Sequence, residues 1–354
     1  MTSIEFDDKF LALNILRTIA QTTMSIKLSD AISNLWLVRL LIENGELIDD
    51  EFFQTACTRG HTDIVRMILV LPPERGVDPA ANDDVALRIA CRNGHTEIVR
   101  LLLDSERGVD PAADNNEALR IASERGHTEI VRMLLELPPE RGVNPAANDT
   151  FALRFACLFG HAAIVRMLLD LPLERGVDPA ANDNEALRFA CEYGYMEIVR
   201  LLLELPLERG VDAAANGNNA LRAACFSGCT KNVRLLLDLP LERGVDPAAN
   251  KNASFQNACI RGHTEIVRLL LDLPLERGVD PAACNNYAVR SAIASGHTDI
   301  VRMLLDLPLE KGVDIAEFDN HSLRVASESG HTEIVRLLLD LPPERGVCDN
   351  IRKL

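Results

Sequence analysis

Residues 262–282 read GHTEIVRLLLDLPLERGVDPA, and near copies of this phrase run from Gly60 almost to the C-terminus. The opening Gly recurs at Gly60, Gly94, Gly126, Gly160, Gly194, Gly228, Gly262, Gly296 and Gly330. The intervals are 34, 32 and then 34 residues six times. The short interval has a local cause: Leu103 to Gly108 reads LDSERG where other copies read LDLPLERG. A degenerate copy precedes the series, with Val38-Arg39-Leu40-Leu41 matching Val99-Arg100-Leu101-Leu102 and Ser33 in place of the Gly. About ten repeats result, and a fixed period of this size marks a repeat architecture rather than two or three globular domains.

The repeat from 182 to 211 shows the local logic. Asn182 followed three residues later by Glu185 is a helix-start signature, in which side chains satisfy free backbone N–H groups. A first helix of about eight residues carries Ala186, Leu187, Phe189, Ala190 and Cys191, and Gly194 ends it with a left-handed cap. Glu197 suits the first turn of a second helix, whose apolar stripe is Ile198, Val199, Leu202 and Leu203. Pro206 stops that helix, and Gly210 turns the chain onward. Isolated helices under about 12–15 residues are marginal in water, so one repeat cannot stand alone and the repeats must stack. The expected fold is all-α: an α-solenoid of about ten stacked helix-turn-helix repeats over residues 33–348. Residues 1–32 are expected to form an N-terminal capping helical segment, the alternative being a docking or membrane-surface helix. Residues 349–354 form a C-terminal tail.

The run GHTEIVRLLL resembles the second-helix signature of ankyrin repeats, and Gly-Val-Asp-Pro-Ala is similar to their connector. The resemblance covers residues 33–348 and recurs nine times. Tetratricopeptide repeats share the 34-residue period, but their Trp/Leu/Gly/Tyr signature is missing. Two departures matter. Where the ankyrin family has Thr-Pro-Leu-His, this chain has Glu185-Ala186-Leu187-Arg188. The stretch from Gly176 to Leu187 is also about three residues shorter than in the family, without its Asp-Gly turn. The β-fingers are therefore expected to be short or absent. The stretch from Gly160 to Gly176 is about four residues longer, which predicts an extra Pro-kinked turn on the second helix. The resemblance implies a non-enzymatic protein–protein interaction scaffold whose first helices line a concave groove. Ankyrin proteins of this style are common in intracellular bacteria and large viruses, so it also implies a host-directed effector.

Composition narrows the partners. Of 354 residues, 47% are apolar and only 4% aromatic, so the core is aliphatic. A net charge of −16 repels polyanions, which argues against nucleic acid and for a protein partner of basic or mixed charge. No apolar run reaches the roughly 18 residues that span a bilayer. The opening MTSIEFDDKF lacks the basic start of a secretory signal. Nine Cys, an odd number, argue for a reducing and hence cytoplasmic compartment.

The polar residues that could carry chemistry all recur in register. His61, His95, His127, His161, His263, His297 and His331 follow the helix-ending Gly. Neighbouring helices pack about 10 Å apart, too far for these His to share a metal. Tyr195 and Cys229 replace His in two copies, which predicts a turn and helix-capping role. Cys57, Cys91, Cys157, Cys191, Cys225 and Cys259 share a first-helix register that suits small, reduced core residues. Cys225 and Cys229 form the only close pair, without the second pair a zinc site needs. No catalytic residue, metal or cofactor is therefore expected. Two Arg ladders run along the chain, one from Arg88 to Arg324 and one from Arg66 to Arg336. The second mostly has an acid three residues earlier, and each Arg of the Glu-Arg-Gly turns follows a Glu. The stretch from Asp170 to Arg200 has seven acids against three Arg, so paired faces are expected rather than a basic stripe.

Two columns vary between copies. One opens the first helix, at Val85, Glu117, Phe151, Glu185, Asn219, Ala253, Tyr287 and His321. The other closes it. The middle repeats place Phe151, Leu158, Phe159, Tyr193, Tyr195 and Phe226 there, in a chain with 15 aromatic residues. Together with Glu185, Glu192 and Asn219 they form the candidate partner-binding patch. Phe155 and Phe189 are expected to fill the core between repeats. A monomer is expected. Two other readings stay open: a structural or self-assembling repeat protein, and an enzyme with a site around a non-repeated residue such as Cys229 or His321.

Overall fold

A computed structural model describes residues 35–43, 48–72, 74, 77–274, 276–311, 313 and 321–342. Among the described residues there are nineteen α-helices and no strand. The chain divides into two compact units, Met1–Ala147 and Asn148–Leu354. The first contains α1 (Leu35–Glu43), α2 (Asp50–Arg59), α3 (Thr62–Leu69), α4 (Ala81–Asn93), α5 (Thr96–Leu103), α6 (Ala113–Arg125) and α7 (Thr128–Leu135). The second holds α8 (Ala147–Leu158), α9 (Ala162–Leu169), α10 (Ala181–Glu192), α11 (Met196–Leu203), α12 (Ala215–Ser227) and α13 (Thr230–Leu237). It continues with α14 (Ala249–Arg261), α15 (Thr264–Leu271), α16 (Ala283–Ala294), α17 (Thr298–Leu305), α18 (His321–Glu328) and α19 (Thr332–Leu339). Within each unit, first helices pack on first helices and second helices on second helices. The fold is an all-α solenoid. The degenerate first copy supplies α1, with Val38 and Ile42 buried. The expected N-terminal cap at 1–32 and the tail at 349–354 lie outside the described residues.

The core repeats as the sequence does. Leu187, Ala190 and Cys191 of α10 and Ile198, Val199 and Leu202 of α11 are buried, as are their counterparts in the other repeats from α2 to α17; in the last repeat Ser327 is exposed and Val335 half-buried. Each large aliphatic side chain so buried contributes about 1.5–3 kcal/mol. Every first helix is short, so most of its stability comes from this packing.

The Gly-His pair is the joint between repeats. Gly262 ends α14 at φ +79°, donating its N–H to the Ala258 carbonyl. A Cβ there would meet the His297 ring of the next repeat at 2.6 Å. His297 Nε2 lies 2.9 Å from the Ile260 carbonyl oxygen. A carbonyl only accepts, so Nε2 carries the proton. The same tie joins His95 to Thr58, His127 to Arg92, His263 to Phe226 and His331 to Ala294, at 2.9–3.2 Å across the set. The side chain does not cap its own helix, as the sequence had suggested; it reaches back 37 positions or so to the previous repeat. Where Cys229 replaces His, its Sγ donates to the Glu192 carbonyl at 3.4 Å. Buried Asn232 strengthens that joint by donating to Ala190 O and Cys191 O at 3.2 and 3.3 Å.

The capping box expected at Asn182 and Glu185 is absent. Instead Asn182, Asp183 and Asn184 form a left-handed turn, with φ of 53°, 56° and 60°. It recurs at 82–84, 114–116, 148–150, 216–218, 250–252 and 284–286. Left-handed backbone costs an L-residue about 1–2 kcal/mol, least for Asn, Asp and Gly, which explains the Asn-rich sequence. The third residue of each turn is buried, and from Asp84 to Asn252 its side chain ties the repeat to the next. Asn184 Oδ1 accepts from Asp212 N at 2.8 Å, Asn218 from Asp246 at 2.9 Å and Asn252 from Asp280 at 2.8 Å. In the first unit Asn116 accepts from Asn144 and Asp84 from Asp110. Asp212 in turn accepts from Ala214 N at 2.8 Å, closing the entry turn. Burial raises the Asp84 carboxyl pKa against the lowering effect of the Asp110 N–H. The other repeats avoid that cost with neutral Asn or Thr.

The extra residues after the second helix do not kink it. Pro206 leads instead into a separate 3-10 turn, Leu207–Arg209. Its Arg is not paired with the adjacent Glu. Arg209 donates to Leu169 O at 3.3 Å, Arg243 to Leu203 O at 3.3 Å and Arg277 to Leu237 O at 2.9 Å, each in the previous repeat. The short copy lacks this turn, and Ser105 Oγ closes on Leu102 O at 2.6 Å.

Two stability measurements follow. Urea unfolding should show Gly330→Ala costing about 1–2 kcal/mol, from its positive φ alone. Gly262→Ala should cost about 1 kcal/mol more, because it also displaces the His297 tie. Equal losses would refute the joint. Lys251, at φ +59°, occupies the turn position where another repeat has Gly217. Lys251→Gly should therefore raise stability by about 0.5–1 kcal/mol, the relieved strain less the added freedom of the unfolded chain.

Candidate functional site

Of the predicted patch residues, Phe151, Leu158, Glu185, Glu192, Asn219 and Phe226 lie on first helices of the second unit, Phe159 and Tyr193 directly follow α8 and α10, and Tyr195 precedes α11. Phe159, Tyr193 and Phe226 are 46%, 53% and 44% exposed, one on each of three successive repeats. Phe151, Phe155 and Phe159 stand four residues apart along one side of α8. The Phe151 and Phe155 rings stack at 3.7 Å, and Phe155 and Phe159 lie 6.3 Å apart. Phe155 and Phe189 are half-buried and do not fill the core as expected. Phe155 belongs to the ring row, and Phe189 lies under the Arg188 guanidinium at 4.2 Å. Leu158 is half-buried beside them.

Tyr195 occupies the joint position, its ring 2.5 Å from where a Cβ on Gly160 would stand. It stacks with Tyr193 at 6.3 Å and is only partly open. Glu185 and Glu192 are engaged within the fold. Glu185 pairs with Arg154 and, at 3.1 Å, with Arg188; Glu192 pairs with Arg188 at 2.8 Å. Asn219 accepts from Arg222 at 3.0 Å. A cleft of about 310 Å³ opens here, lined by Arg188, Glu192, Asn219, Arg222, Phe226 and Asn257 among others. The Arg261 guanidinium sits 4.5 Å from the Phe226 ring centroid.

Six of the nine Arg in the second-helix ladder are seen paired with an acid, four of them with the next repeat. Arg66 meets Glu97 at 2.9 Å, Arg166 meets Glu197 at 3.3 Å, Arg234 meets Glu265 at 3.0 Å and Arg302 meets Glu333 at 2.9 Å. The first-helix ladder corrects the expectation of uniformly paired charge. Helices α4, α6, α8 and α10 all contain acids. Helices α12, α14 and α16 contain none, yet carry Arg222, Lys251, Arg261 and Arg290. The nearest acids in the chain, Asp212, Asp246 and Asp280, close their own entry turns. A count taken over the acidic stretch 170–200 missed this change of sign. Helix-by-helix charge would have revealed it.

The six in-register thiols are shielded in the native state. Cys57, Cys91, Cys157, Cys191, Cys225 and Cys259 are free and fully buried. Burial pushes the Cys57 thiol up to about 12 and raises the other five as well. Cys229 is also raised, first by burial and then by Glu192. Among the described residues no group of three or more His, Cys, Asp or Glu could hold a metal ion. Nor is any described helix long and apolar enough to cross a membrane.

Paired short helices, joined neighbour to neighbour, define a class of helical repeat proteins. Within that class, the model of ankyrin repeats matches residues 28–115, 53–149, 108–183, 153–251 and 255–350. The chain belongs to the ankyrin repeat family. No curated protein matches it. Ankyrin repeats are generally protein–protein interaction modules and typically non-enzymatic scaffolds.

A thiol assay checks the core. In a Cys348→Ser chain, a disulfide reagent should label exposed Cys284 at once and Cys229 slowly, and the six core thiols only on unfolding. Their folded pKa values lie above the unfolded value near 9. The stability they contribute is therefore full below that pH and is lost as pH rises through and beyond it, so the urea midpoint should fall in that range.

Proposed function

We propose that this chain is a non-catalytic scaffold that holds one protein partner across the first-helix face of its second unit. The observation that carries the reading is the run of exposed rings at Phe159, Tyr193 and Phe226, one per repeat, in a chain with 15 aromatic residues. Large exposed aromatics are the side chains that most often anchor an interface. Phe151 and Leu158 extend the apolar floor, while Glu185, Glu192, Tyr195 and Asn219 form its polar margin. The face is acidic at α10 and basic from α12 to α16, which favours a partner of mixed charge. Six buried free thiols suit a reducing cytoplasm. It would be the cytoplasm of the producing cell, or of a host cell if the chain is an effector of an intracellular bacterium or large virus. The effector role rests on resemblance alone.

The test compares immobilised wild type with a Phe159→Ala/Tyr193→Ala variant, once both melt at the same temperature. Wild type should retain a defined protein from native or host lysate, and purified partner should bind the variant at least tenfold more weakly. Equal retention by both would remove the aromatic face from the function.

A further inference from the structure

The first-helix ladder has an acid rung to the next repeat in two copies, and elsewhere along the ladder that register holds Phe151, Asn219, Ala253 or His321. Arg88 pairs with Glu117 of the next repeat, and Arg154 pairs with Glu185 of the next repeat. These Glu residues share one register, three residues after the start of the left-handed turn. The corresponding partner of Arg222 is Ala253, which has no carboxylate. Arg222 bonds only to neutral oxygens, Asn216 O at 3.4 Å and Asn219 Oδ1 at 3.0 Å. Ala253 lines the same 310 Å³ cleft as Arg222 and Phe226. On its far side Arg261 stacks over Phe226, and Asn257 Nδ2 donates to Arg222 O at 3.4 Å.

We infer that this cleft receives a carboxylate side chain of the partner, an Asp or Glu beside an apolar residue, in the place of the absent rung. Arg222 supplies the charge and the forked donors that a carboxylate fits. Phe226 supplies the apolar wall for the neighbouring side chain, and Arg261 keeps the rim positive. Glu192, the one acid lining the cleft, is paired with Arg188 at 2.8 Å, and the next three first helices contain no acid, in a chain whose net charge is −16. A part-buried pair of this kind is worth more than one in open water, because screening is weaker. A carboxylate is favoured over a phosphate backbone because the protein's own Glu117 and Glu185 already fill the equivalent position against an Arg. The inference rests on the reading that this face binds a protein.

The test restores the rung in cis. Ala253→Glu should fold normally, since two other repeats carry Glu in that register, and Arg222→Gln should fold too, since Gln256 stands there in the next repeat. Random 12-residue peptides displayed on phage would be panned against the full chain, and the selected peptides measured by fluorescence anisotropy. The expected result is enrichment of Asp or Glu next to an aromatic or aliphatic residue. Affinity should fall at least tenfold in Ala253→Glu and in Arg222→Gln, with circular dichroism and melting unchanged, and be unaffected by Arg302→Gln. Selection of basic or uncharged peptides, or of none, would overturn the inference. So would unchanged affinity in both variants, or equally tight binding of a labelled 12-nucleotide single strand. Peptides lost in Phe159→Ala/Tyr193→Ala but kept in Ala253→Glu would leave the binding face standing and remove the carboxylate site. Peptides kept in all three would remove both.

Discussion

A helix ends with carbonyl groups that it cannot satisfy itself. In this protein the next repeat satisfies one of them, through the Nε2 proton of a His that follows the next Gly. The rest of the repeat is arranged around that bond. The Gly must lack a side chain twice over, once for its positive φ and once because the His ring fills the space a Cβ would need. The second helix starts immediately after the His, so the same bond sets where its apolar stripe meets the core. Tyr195 and Cys229 show how far the joint can vary. The Tyr keeps the ring packing, while the Cys gives up most of the hydrogen bond and Asn232 replaces it from the second helix.

The left-handed turn does a second job. It brings the chain into the first helix in three residues and buries an Asn oxygen against the entry of the next repeat. That leaves the following residue free of any capping duty. This is why the first variable column can hold Glu, Phe, Asn, Ala or Tyr without loss of fold. The constraint on the backbone and the freedom of the surface are adjacent in sequence, and the second depends on the first.

Much of the fold could be read from the chain before its structure. The Gly period, the Cys register and the Ile/Val/Leu stripes survive because stacking demands the same residue at the same place in every copy. The local chemistry was harder to read. Asn182 and Glu185 have the spacing of a capping box, but a run of Asn and Asp is equally the mark of left-handed backbone, and spacing alone does not separate the two. The Arg of the Glu-Arg-Gly turns looked paired with its neighbour because its true acceptor lies 40 positions earlier. Of the candidate site, Phe159, Tyr193 and Phe226 were legible as rings placed where other copies have small or polar residues. Phe155 and Phe189 were misjudged because a half-buried helix position carries no periodic signal of its own. The basic stretch was hidden by the choice of an acidic repeat as representative.

Every tie between repeats described for the side chains joins neighbours, and none spans more than 42 positions. None of the bonds described above bypasses a repeat to hold a more distant one. Under tension each unit would therefore behave as a row of fasteners in series, each opening without waiting for the others. Releasing one repeat of 34 residues pays out roughly 110–120 Å of extended chain. A partner that gripped several repeats at once would clamp fasteners that the protein itself never links.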